Sequence, residues 1–80
     1  MKNLLENVFL GQHIVVVTKT GTVIEGILKQ KETESIPNII EGASPAKVKV
    51  TAEGKIVFCT SVAVQNKDIE LFGTDPADSM

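Results

Sequence analysis

Residues 10–28, LGQHIVVVTKTGTVIEGIL, constrain the fold more than any other stretch, because two β-branched runs flank Lys19-Thr20-Gly21 and a second glycine, Gly26, interrupts the second run. Side chains branched at Cβ are restricted at χ1 and favour strands over helices. The two runs are therefore expected to pair as a hairpin across a glycine that tolerates positive φ. Ile14 and Val16 fall on one side of the first strand and Val15 and Val17 on the other, so the alternation predicts burial of both faces. In the second strand, about residues 22–30, Gly26 is the expected bend, since a missing side chain lets the strand curl or a neighbouring backbone approach.

The rest of the chain extends this β pattern. Leu4, Leu5 and Val8 fall at helical spacing, with Asn3 placed as an N-cap three residues before Glu6, which predicts a short helix over residues 4–10 that stops near Gly11. Residues 31–45 change to Lys, Glu, Thr, Ser, Pro and Gly with Ile36, Ile39 and Ile40 embedded. They read as a long connection, partly docked through its isoleucines, in which Pro37 and Pro45 argue against a regular helix. Residues 47–51 alternate as a half-exposed strand, 52–55 make a hairpin turn, and 56–60 form a fourth strand with apolar residues on both sides. After Thr60-Ser61, residues 62–64 and 69–72 supply the last strand. The fold class expected from the residues is mostly β: a small, strongly bent, five-stranded antiparallel barrel with a short N-terminal helix and one open edge.

Eighty residues suffice for one domain, placed here at 1–73 with a flexible tail over 74–80. The only aromatic residues are Phe9, Phe58 and Phe72, too few for a surface that stacks bases on its own rings. A formal net charge of −2 gives no overall basic field for duplex binding, so only a local basic patch would meet a phosphate backbone. Cys59 is the single cysteine; it excludes an intramolecular disulfide and fits a reducing, cytoplasmic setting. Neither a membrane span nor a secretory leader is expected.

The order LLENVF, LGQHIVVVTKTGTVIEGIL, a variable loop and a hairpin ending in KIVFCTSVAV resembles the Sm/Sm-like (LSm) family. Gly21 followed by Gly26-Ile27-Leu28 is similar to the glycine turn and Gly-x-Leu step of that family's first motif. The resemblance implies a bent, SH3-like barrel whose fourth strand pairs with the fifth strand of the next copy, closing a ring that binds single-stranded RNA around its pore. Carried onto this chain, it implies an oligomer interface at Val57, Phe58, Cys59, Ile69, Leu71 and Phe72. With a ring of this kind, RNA contacts are expected at Lys29, Lys31, Ser35, Thr60 and Ser61. Two departures stand out: Glu32-Thr33-Glu34-Ser35-Ile36 lacks the family's base-contacting Asn, and Cys59-Thr60-Ser61 stands where the second motif usually carries a basic pair.

Other chemistry finds little footing. Gly21 and Gly26 have phosphate-loop spacing, but Ile27-Leu28 stand where Lys-Ser/Thr would be required. His13 is the only histidine, so one chain assembles neither a multi-histidine metal site nor a Ser/His/Asp triad. Cys59 lies in an apolar strand, where a thiol is usually inert. Glu32, Glu34 and Glu41 read as a solvated loop or, repeated around a ring, an acidic cluster, while Lys47 and Lys49 join Lys29 and Lys31 as candidates for phosphate contact. The expected function is a cyclic homo-oligomer binding single-stranded RNA, with no reaction, no metal and no cofactor. The alternative is a ring used as a structural or protein-interaction scaffold that docks a partner through the 31–45 loop.

Overall fold

The structure is a computed structural model that describes residues 4–43 and 46–74. These residues form seven antiparallel strands: β1 His13–Thr18, β2 Val23–Gln30, β3 Asn38–Glu41, β4 Val48–Ala52, β5 Lys55–Cys59, β6 Ser61–Val64 and β7 Ile69–Thr74. A single 3-10 turn, Asn66–Asp68, precedes β7. The expected hairpin is present, with Ile14 opposite Gly26 and Val16 opposite Ile24, and Gly21 takes a φ of +88° at its turn.

Two features of the expected barrel are corrected: among the described residues the strands number seven, not five, and residues 4–10 form no helix. The strand count follows from the second edge of β2. Val23, Ile24 and Glu25 pair with Thr51, Val50 and Lys49 of β4, whereas Ile27 and Leu28 pair with Glu41 and Ile40 of β3. Gly26 falls between the two ladders. β3 ends at Glu41 and β4 begins only at Val48, so what reads as one connection and one strand becomes two strands with a link between them. The neighbouring strand breaks at the same level: β5 pairs with β4 as far as Cys59, Thr60 interrupts, and β6 pairs with β3 from Ser61. The 31–45 segment therefore contains a strand, and only part of it is loop.

Gly26 acts as the expected point of close approach. A Cβ there would lie 2.6 Å from Ile40 Cγ2 and 2.9 Å from the Glu41 carbonyl oxygen. The hydrogen-bonded path β5-β4-β2-β1-β7 has two ends, with β3 and β6 on a branch beside β2, so the sheet is open.

At the N-terminus, residues 4–7 and 10–11 are turns joined by single bonds from Val8 N to the Leu5 oxygen and from Gln12 N to the Phe9 oxygen. A segment this short gains too few intrahelical bonds to offset nucleation. The apolar spacing nonetheless reports burial, because Leu5 and Val8 both enter the core. The proposed Asn3 cap lies outside the described residues, as does the expected tail except for Thr74, which ends β7 opposite Ile14.

The core gathers Leu5, Val8, Ile14, Val16, Ile24, Leu28, Ile40, Val48, Val64 and Ile69. Burying each Leu, Ile or Val side chain contributes about 1.5–3 kcal/mol relative to exposure. The first strand is buried on one face only: Ile14 and Val16 are inside, while Val15 is 36% exposed. The outer face carries a cross-strand row formed by Leu71, Val17, Val23, Thr51 and Ile56.

Candidate nucleic-acid interface

One pole of the sheet is built where loop 31–37 meets the connection between β6 and β7. Its centre is Asn38, a buried polar residue that the sequence reading did not single out. The Asn38 Oδ1 accepts Glu32 N–H at 2.8 Å, and its Nδ2 donates to the Val64 carbonyl at 3.0 Å and to Asn66 Oδ1 at 2.7 Å. Both amide donors of Asn38 are thus engaged, as burial requires. Glu32 completes the circuit, its Oε1 accepting Asn66 N–H at 2.7 Å. Gln30 Nε2 donates to the Pro37 carbonyl at 3.0 Å and closes the base of the loop.

These bonds assign Glu32 a structural partner, while Glu34 and Glu41 stay exposed. The signal was hard to find in the sequence because Asn38 and its partners Val64 and Asn66 are 26 and 28 positions apart. An Asn directly ahead of Ile39-Ile40 was the one local hint that a polar group enters the core.

Three residues expected to touch RNA lie in the 31–37 loop or at the end of β2 that leads into it. Lys29 and Ser35 are exposed, and the half-buried Lys31 donates from Nζ to the Glu6 carbonyl at 3.0 Å. An ammonium has three donors, so this bond positions the charge and leaves capacity for a phosphate. Thr60 and Ser61, also exposed, lie at the opposite end of the β3–β6 ladder: Ser61 pairs with Glu41, whereas Val64 pairs with Asn38 beside the pole. Three strand residues span roughly 10 Å. Lys31 and Ser35 belong to the 31–37 loop and Lys29 to the end of β2 that leads into it, whereas the ladder register sets Thr60 and Ser61 apart, next to the end of β3.

The residues expected at an oligomer interface also divide. Val57, Phe58 and Leu71 are exposed on the terminal strands β5 and β7, Cys59 and Phe72 are half-buried, and Ile69 belongs to the core. Phe58, at 61% exposure, and Ile56 share the outer face with Lys49 and Thr51, which they oppose. Among the described residues, both sheet ends thus combine an open strand edge with exposed apolar side chains, a combination that favours strand addition. No helix among the described residues is long and apolar enough to cross a membrane.

Among solved structures, the chain is similar to the P. aerophilum SmAP1 heptamer, with a TM-score of 0.63 and 15% identity over 84% of this chain and 82% of that one. No protein-family model matches the sequence, and no curated protein does. The structural likeness shows an Sm-like fold.

Proposed function

We propose that this chain is a ring-forming Sm-like protein in which β5 of one copy pairs with β7 of the next. The observation that carries the reading is the pair of open edges at the two ends of one sheet, exposing Ile56, Val57 and Phe58 at one end and Leu71 at the other. A head-to-tail contact between two different edges closes when the rotation between copies divides a full turn, and closure leaves no edge exposed. The similar solved structure is itself described as a heptamer. Native mass spectrometry tests the assembly: one closed stoichiometry is expected, and a monomer at micromolar concentration removes the reading.

The ring binds single-stranded RNA through the pole carrying Lys29, Lys31 and Ser35, with Thr60 and Ser61 as a separate polar contact, and it catalyses no reaction. Support comes from the hydrogen-bonded framework that ties the 31–37 loop to the β6–β7 connection and from the exposed Lys29 and Ser35 beside it in sequence. Filter binding with short single-stranded RNAs at low and moderate salt should give saturable binding that weakens as salt rises. Absence of binding at both salts counts against RNA as the ligand.

A scaffold reading draws on Ile36, 41% exposed at the tip of the same loop, and on the net charge of −2. Pull-down from lysate with and without nuclease separates the two, since RNA-borne partners leave on digestion and directly docked ones stay.

A further inference from the structure

On the outer face, a recess of about 390 Å³ lies between the β1–β2 ladder and residues 42, 43, 46 and 47. This volume falls within the range of small-molecule sites, roughly 300–1,000 Å³. Its floor is a block of four side chains set by the strand register: His13 opposite Ile27 and Val15 opposite Glu25. Cross-strand neighbours stand about 5 Å apart, and same-face residues on one strand about 7 Å. The block is therefore about the size of one purine ring system, with Val15 and Ile27 as the apolar diagonal. Gly42, Ala43 and Ala46 form a wall of small residues, and Lys47 stands exposed at the rim.

The polar groups select the occupant. The Glu25 carboxylate only accepts hydrogen bonds, and Lys49 Nζ lies 3.9 Å from its Oε2 on the sheet surface. Guanine presents two adjacent donors, N1–H and the 2-amino group, which match the two oxygens of a carboxylate. Adenine presents one donor beside one acceptor and leaves an oxygen unmatched. The Lys47 ammonium supplies the charge complement to a phosphate at the mouth of the recess.

We infer that this recess binds a guanine base carrying a phosphate, with Glu25 reading the base edge and Lys47 meeting the phosphate. That chemistry is shared by a free guanosine monophosphate and by a guanosine within single-stranded RNA. The site requires neither the ring nor the 31–37 pole.

Titration calorimetry of the full chain with GMP, AMP and guanosine tests the assignment. GMP should bind at least about tenfold more tightly than AMP, the scale of a two-bond base contact. Glu25→Gln should bring GMP and AMP to within about threefold of each other, and Lys47→Ala should bring GMP down to the affinity of guanosine. Ala46→Trp, filling the recess from an exposed position, should abolish binding while circular dichroism remains unchanged. No saturable GMP binding up to millimolar concentration, equal affinity for GMP and AMP, or an unaltered preference in Glu25→Gln overturns the inference. Short RNAs with and without a single guanosine separate the sources: a guanosine-dependent gain lost in Glu25→Gln identifies an RNA residue, and its absence alongside GMP binding identifies the free nucleotide. RNA binding that persists in Glu25→Gln but weakens in Lys31→Ala belongs to the pole, so the two proposals fail separately.

Discussion

Asn38 and Gly26 each serve the fold through a property that no other residue type supplies at that place. Asn38 presents one acceptor and two donors to three chain segments inside the protein, so Asn38→Ala leaves the Glu32 N–H, the Val64 carbonyl and the Asn66 amide oxygen without this partner. Losing a buried hydrogen-bond partner typically costs about 1–3 kcal/mol. Urea denaturation of Asn38→Ala should show a loss on that scale. Gly26→Ala forces a methyl group against Ile40 and the Glu41 backbone and should destabilise by about 1–3 kcal/mol, the usual cost of overpacking. Gly73→Ala is its control, since a Cβ there meets nothing within 4 Å, and its denaturation midpoint should stay within about 0.5 kcal/mol of the parent.

Among the elements, legibility followed the distance over which the deciding interactions act. The β1–β2 hairpin was readable because its β-branched runs and turn glycine act locally, as was the tight turn after β4, where Glu53 and Gly54 both take positive φ. The two split strands were not readable: the break shows only in the partners of β2, which change from β4 to β3 across Gly26. The N-terminal segment failed differently, since Leu5 and Val8 carry an apolar spacing that a helix and a pair of turns satisfy equally. At the candidate site, the exposure of Lys29, Ser35, Thr60 and Ser61 follows from residue type, but the Glu32–Asn38–Asn66 circuit joins distant segments. Glu32→Gln keeps an acceptor for Asn66 N–H, whereas Glu32→Ala removes it. Hydrogen exchange at Asn66 should therefore accelerate clearly in Glu32→Ala and much less in Glu32→Gln.

For the whole molecule, the decisive arrangement is that β5 and β7 end the same sheet and differ from each other. Phe58→Lys and Leu71→Lys each place a charge on one exposed terminal strand and should leave the single chain folded, because both positions are more than half exposed. Under the proposed assembly each variant alone should run as a monomer in native mass spectrometry. An equimolar mixture should give a dimer that grows no further, because one intact edge remains on each chain and the two intact edges differ. A self-complementary contact predicts no such rescue, so a mixture that stays monomeric rejects head-to-tail pairing.

The gap between β3 and β4 has a practical consequence as well. Each flanking segment is held by its own ladder, to β2 on one side and to β6 or β5 on the other, so alignment of the sheet does not depend on how many residues cross from one to the other. Doubling the length of such a crossing adds only about 0.6 kcal/mol of closure entropy. A peptide tag spliced in after Ala43 should consequently leave the melting temperature within a few degrees of the parent, making this stretch a natural port for grafting cargo onto the domain.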